Sequence, residues 1–186
     1  MANPLPLADG ELLHGRTIAL RNQGVADAEP IFAVWGSEAV MRFVPSDPFG
    51  SLEDVRSALE NGVVQGTSTG RYRFAIVRRG DGELVGTCGI YSNRAFEETW
   101  EVAYHLAPAH WGHGYGTEAA ALLLRYGFER LGASKLIALV YPGNLASLRV
   151  AEKVGMERLG PRSGYVEDEE LVLFEKAAPT GPPGPD

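Results

Sequence analysis

One cysteine, Cys88, is all this sequence carries. An internal disulfide is thereby excluded, and a single thiol suits a reducing compartment. Long apolar runs are missing too: no stretch approaches the ~20 residues that would span a bilayer, so no membrane segment is expected. The opening residues MANPLPLADGELLHG lack the basic and apolar regions of a secretory signal, which leaves a cytoplasmic location as the expectation. Positive charge is in short supply, with 17 Lys and Arg against 24 Asp and Glu and a formal net charge of -7. That balance argues against a surface that neutralises a phosphate backbone, so no nucleic-acid partner is expected. It would suit a cationic substrate, although many enzymes are acidic for solubility alone. Internal repeats and signs of a second domain are absent as well.

What is present is an ordinary globular balance. Hydrophobic residues make up 45% and charged residues 22% of 186 positions, enough for one domain with a core of its own. Only the end departs: APTGPPGPD (178–186) has too few apolar groups to offset the entropy of ordering and reads as disordered. The expected organisation is an N-terminal extension over 1–15, a single domain over 16–176 and a Pro/Gly tail over 177–186.

RTIALRN (16–22) alternates apolar and polar residues and predicts a first strand. Between 26 and 44, Ile31, Val34, Trp35 and Val40 recur near helical spacing, interrupted by Gly36 and ended by Pro45, which predicts one or two short helices. Another helix is expected over 51–64, where Ser51 and Asp54 approach the capping-box arrangement and Val55 and Leu59 share a face. Two β-rich runs around Gly80, Asp81 and Gly82 predict a hairpin within 71–92. TWEVAYHL (99–106) predicts a strand that runs into a glycine-rich stretch and a helix over 117–131. KLIALVYP (135–142) reads as a strand buried on both faces, NLASLRVAEKVG (144–155) as a helix capped by Asn144 and stopped by Gly155, and MERLG and EELVLFEK as closing strands. This order gives an α/β domain with a mixed sheet.

HWGHGYGTEA (110–119) places glycines at 112, 114 and 116 directly ahead of a helix. Glycine permits positive φ and lets a ligand approach main-chain N–H groups, and a helix N-terminus favours an anion, so the pattern points to a phosphate cradle; a plain connecting turn is the alternative. The dinucleotide pattern G-x-G-x-x-G fails because Gly116 arrives one residue early, and no Gly-Lys-Ser/Thr supplies a triphosphate loop. His105, His110 and His113 fall close together and raise a metal reading, but no complementary ligands stand nearby and no metal is expected.

Three segments, taken in order, resemble the GNAT superfamily of acyl-CoA-dependent N-acetyltransferases, and within it the RimJ/RimL-like branch, over 16–175. VMRFVP (40–45) looks like the branch's segment after the first helix; WEVAYHLAPAHWGHGYGTEA (100–119) resembles its fourth strand running into the coenzyme loop. NLASLRVAEKVGM (144–156) resembles its Asn-x-x-Ser and Lys-x-Gly-Phe signature, with Met156 in the Phe position. The resemblance implies a GNAT-like fold, a predominantly antiparallel twisted sheet flanked by helices, with acetyl-CoA as co-substrate and an amine as acceptor. Homodimers are common among such relatives, although no sequence feature here specifies one. It implies that the loop from Trp111 through Gly112, His113, Gly114, Tyr115 and Gly116 to Thr117 holds the pyrophosphate of coenzyme A, and that Asn144 contacts the pantetheine arm besides capping its helix. Trp111 departs from the Gln/Arg that opens the superfamily's loop, although a Trp-Gly pair there is familiar in the branch. Cradling by the backbone survives that change; a side-chain contact of the Gln/Arg type does not.

Acetyl transfer to an amine needs a neutral amine, a stabilised oxyanion and a proton for the leaving thiolate. With a pKa of about 10, roughly one alkylamine in a thousand is neutral at pH 7, so a base is useful. By resemblance Glu101 is that base, directly or through water; a solvent-facing or substrate-orienting carboxylate is the alternative. The tyrosine that many members place in the last helix is replaced by Ala151, and the branch's serine corresponds to Ser147. A serine hydroxyl is a poor net acid for a thiolate of pKa about 8.5, so Ser147 is expected to donate a stabilising hydrogen bond or relay a proton. The backbone of 102–106 is expected to polarise the thioester carbonyl. Trp35, Met41 and Phe43, with Tyr165 closing, are the expected acceptor-binding residues, with a core role for Phe43 and Trp35 as the alternative. Cys88 lies in an apolar strand pattern with no adjacent base and reads as a buried thiol, not a nucleophile. The expected activity is direct acetylation, in a ternary complex, of a protein or peptide N-terminus or a small-molecule amine. The alternative is a non-catalytic acyl-CoA-binding sensor or scaffold, raised by the missing tyrosine.

Overall fold

Segments of period two and segments of helical period alternate along the chain, and the computed structural model folds each as its period reads. It describes residues 7–8, 10–62, 71–93, 96, 99–163, 166 and 169–179. The elements run β1 (Leu13–His14), β2 (Ile18–Asn22), α1 (Ala28–Trp35), α2 (Glu38–Met41), α3 (Leu52–Gly62), β3 (Arg71–Arg78), β4 (Leu84–Asn93) and β5 (Thr99–Leu106). They continue with α4 (Tyr115–Glu129), β6 (Lys135–Val140), α5 (Leu145–Lys153), β7 (Glu157–Arg162) and β8 (Leu171–Ala177). All the strands join one sheet in the order β1-β2-β3-β4-β5-β6-β8-β7. Every neighbouring pair is antiparallel except β5 and β6. This is the mixed, mostly antiparallel sheet that the sequence predicts.

Alternation along the strands decides the layering. In β3, Tyr72, Phe74 and Ile76 join one core cluster while Ala75 and Val77 join another, and in β2 Ile18 and Leu20 part from Ala19 in the same way. The first cluster packs under α4 and α5 through Leu122, Leu123, Tyr126 and Leu148. There the Tyr126 ring meets Phe74 and Tyr72 at 5.2 and 5.7 Å. The second packs under α1 and α3 through Ile31, Val55 and Leu59. Burying side chains of this size contributes roughly 1.5–3 kcal/mol each, and it is spent on both faces, so helices must cover both.

Three details differ from the expectations. β1 lies within the stretch read as an extension and pairs Leu13 with Leu20; two residues are too few to show a period. α4 begins at Tyr115, two residues early, because Gly114 at φ +83 serves as its N-cap. Ser51 and Asp54 bond to each other, the Asp54 N–H donating to Ser51 Oγ at 3.1 Å and the hydroxyl to the carboxylate at 2.7 Å, a variant of the expected capping box.

The exceptional strand pair positions the site. β5 and β6 are matched only at Trp100 with Leu136 and Glu101 with Ile137. Beyond them β5 continues along β4 as far as Leu106 opposite Gly86, while β6 stays with β8 as far as Val140 opposite Val172. The two strands therefore part, and among the described residues no strand pairs with the β6-side edge of β5 from Val102 onward.

Candidate active site

A cleft of about 490 Å³ opens where β5 and β6 part. Its walls come from Val102–Leu106 of β5, Ala138–Tyr141 at the end of β6, the glycine loop, one face of α5, and the segment 39–44 that follows α1. Main chain dominates one end. Gly112 and Gly114 adopt φ +81 and +83, a region that costs other residues about 1–2 kcal/mol, and both line the cleft with Gly116 and Thr117. Inside α4 the first backbone donor to find a carbonyl of its own turn is Glu118, whose N–H reaches Gly114 O at 3.1 Å. The amides ahead of it are left for a ligand.

The side chains of His110, His113 and Tyr115 do not line the cleft. Tyr115 is buried, its hydroxyl against the Arg78 guanidinium, and His113 stacks on its ring at 5.5 Å. His110 reaches Glu83 at 3.3 Å, and Glu83 also pairs with Arg78. The three histidines thus serve separate places, and among the described residues no three His, Cys, Asp or Glu side chains converge on one point. Trp111 lines the cleft and is 47% exposed as a residue, while its indole N–H donates to Leu106 O at 2.8 Å. The departing residue of the loop therefore stitches it to the end of β5.

Asn144 caps α5 as its sequence position predicts, Oδ1 accepting the Ser147 N–H at 3.1 Å. Asn144 and Ser147 both line the cleft, and the Tyr104 hydroxyl donates to the Ser147 carbonyl at 3.4 Å. Burial pushes the Tyr104 phenol up to about 12, which keeps it a proton donor, and the Ser147 contact opposes only part of that rise. Ala151, at the position of the missing tyrosine, is buried in the core.

The opposite end is made of side chains. Phe43 faces Tyr141 across the cleft with ring centroids 6.2 Å apart, and the Arg42 guanidinium lies 4.5 Å from the Phe43 ring. Partial burial raises the Tyr141 pKa, and the Glu169 charge and hydrogen bond add to it. His105, half-buried on β5, is driven down to about 4 by burial and then by the Arg73 charge, so it stays neutral at physiological pH. Glu101 shares its strand face by alternation but is 8% exposed and does not line the cleft; its carboxylate accepts Asn93 Nδ2 at 2.7 Å.

Of the residues expected to bind the acceptor, Phe43 alone lines the cleft among those described. Trp35 stacks on Phe49 at 5.6 Å and donates its indole N–H to Thr87 Oγ1 at 3.1 Å. Met41 is buried, with its neighbours Val40 and Arg42 in the wall. Tyr165 lies outside the described residues. Sequence reasoning passed over Tyr104, Tyr141, Arg42, Arg149 and Lys153, all of which line the cleft. Tyr104 had a signal, standing three residues after Glu101; Arg149 and Lys153 had a weaker one, the i, i+4 spacing that puts both on one face of α5.

A mixed sheet that parts beside a glycine-led helix to open a cleft is the architecture in hand, and comparison with known proteins gives its family. The acetyltransferase (GNAT) domain family matches residues 17–157, and the chain belongs to that family. The uncharacterized N-acetyltransferase YoaA of Bacillus subtilis (strain 168) is 30% identical over 155 residues, covering 83% of this chain and 88% of that protein. Among solved structures, an acetyltransferase of the GNAT family from Bacillus anthracis superposes with a TM-score of 0.73 at 25% identity, over 89% of this chain and 96% of that one. A ribosomal L7/L12 α-N-protein acetyltransferase, RimL, solved in complex with coenzyme A, shares the fold with a TM-score of 0.76 at 15% identity, over 90% of this chain and 98% of that one.

Proposed function

We propose that the protein is an acetyl-CoA-dependent N-acetyltransferase of the RimJ/RimL-like branch that acetylates a primary amine by direct attack. The observation that carries this reading is the parting of β5 from β6 with a glycine loop at one end of the gap. Main-chain amides at Gly112–Thr117 suit a diphosphate, and Arg42, Arg149 and Lys153 along the walls add positive charge in a chain that is acidic as a whole. RimL, with the same fold, was solved with coenzyme A bound. Acetyl-CoA would supply an acetyl group activated as a thioester.

The residues divide the work. The loop amides and Asn144 bind, and the free edge of β5 over 102–106 offers N–H groups toward the carbonyl to be attacked. Phe43 and Tyr141 flank the acceptor, and Glu101, behind Ala103 on the same strand face, takes the amine proton through water. Ser147 and the Tyr104 phenol stand on the thiolate side as hydrogen-bond donors. Titration with acetyl-CoA by calorimetry, followed by thiol release with a panel of peptides of varied first residue and small amines, tests the reading. Micromolar binding with amine-dependent release is expected. Failure to bind overturns it, and binding with no release from any amine leaves the sensor, a reading that Ala151 favours.

A further inference from the structure

Glu118 stands in the first turn of α4, immediately behind the glycine loop, yet its carboxylate does not line the cleft. It reaches back to the turn between β1 and β2. There the Thr17 N–H donates to Oε1 at 2.8 Å, the Thr17 hydroxyl to Oε2 at 2.5 Å and the Ile18 N–H to Oε1 at 3.3 Å. The turn is closed by the Gly15 N–H on Ile18 O at 2.9 Å. A Cβ at Gly15 would sit 2.2 Å from Glu118 Oε1, so the carboxylate occupies the space that any other residue there would need. Burial acts to raise the Glu118 pKa, and the donors at Thr17, Ile18 and Arg16 outweigh it, holding the carboxyl below its usual range.

Further along α4 two contacts run to the same N-terminal segment. Arg125 donates to His14 O at 3.3 Å, and Arg130 pairs with Glu11 at 2.5 Å. The helix that begins at the glycine loop is therefore fastened at its first turn, its middle and its C-cap, and Glu118 is the fastening nearest the cleft. Its direction matters as much as its strength. A carboxylate released from Thr17 would lie within one helical turn of the amides that line the cleft and would oppose an anion bound there.

We propose that Glu118 is a positioning residue: clamped by the Gly15–Ile18 turn, it sets the glycine-loop amides for the diphosphate of the co-substrate and keeps its own charge off that site. This rests on the coenzyme reading given above. The test uses the full chain and coenzyme A itself, with calorimetric Kd and melting temperature measured on each variant. Glu118→Ala is expected to weaken coenzyme A binding about tenfold at a temperature where the variant is fully folded, and Thr17→Val, which loses only the hydroxyl bond, about threefold. Gly15→Ala is expected to weaken binding in the wild-type background and to change it less than twofold in the Glu118→Ala background, because the clash partner is gone. A lowered melting temperature with Kd within twofold of wild type, in Glu118→Ala or in Thr17→Val should the alanine variant not fold, reduces Glu118 to a stability element and overturns the proposal. Additive Gly15→Ala and Glu118→Ala effects overturn it as well. If wild type fails to bind coenzyme A, the reading beneath the proposal falls with it; normal wild-type binding with unaffected variants sinks the clamp alone.

Discussion

The two ends of the cleft are made of different materials. At the loop end, Gly112, Gly114 and Gly116 line the cleft, and the side chains of Tyr115, His110 and Glu118 are tied to Arg78, Glu83 and Thr17 within the protein. At the other end Phe43, Tyr141, Arg42 and His105 present side chains drawn from separate elements. A main-chain surface survives substitution as long as its glycines keep their φ; a side-chain surface is rewritten by each replacement. Under the proposed function, the first end would carry the chemistry shared across the family, and the second the choice of amine.

The largest effect should come from the proposed proton acceptor. Glu101→Gln is expected to lower kcat/KM by roughly two to four powers of ten while the coenzyme A Kd stays within twofold, measured by steady-state kinetics and calorimetry. An unchanged kcat/KM would take Glu101 out of the reaction. Next, Gly114→Val forces a β-branched residue to φ +83 and should weaken coenzyme A by roughly 30-fold. Retained affinity there would mean that the loop does not hold the diphosphate. Phe43→Ala tests the side-chain end: the KM for the amine should rise about tenfold with the KM for acetyl-CoA unchanged. Equal rises in both would blur the division between the two ends.

The smallest effect is one of pH. A folded-state pKa of about 4 for His105 lies below the unfolded value, so the fold favours the neutral ring. Its contribution to stability is complete above pH about 6.5 and is lost as pH falls toward 4. His105→Gln should flatten the loss of melting temperature across that window, and the His105 ring protons should show no midpoint near 6.5 by NMR.

Much of this was legible in the residues. The glycine run and the Asn144 cap declared themselves because local backbone requirements, positive φ and an unpaired helix end, need specific residue types. Phe43 was legible through resemblance. Trp35 was not: an aromatic at the end of a helix reads the same whether it faces a ligand or packs on Phe49, and only the neighbouring strand supplies the Thr87 hydroxyl for its N–H. Tyr141 was passed over for the mirror reason, because it ends a run that reads as buried strand while its ring meets Phe43, far away in the chain.

By itself the sequence determined the order of the elements after the first short strand, the burial of β6 on both faces and the glycine loop at a helix entrance. Each follows from periods and φ requirements that act over a few residues. The tertiary structure decided where β5 leaves β6, which side chains meet across the resulting gap, and that Glu118 turns to Thr17 and leaves the cleft to the glycines. Those outcomes depend on contacts between residues up to a hundred positions apart, and a local pattern does not encode which distant group will arrive to complete it.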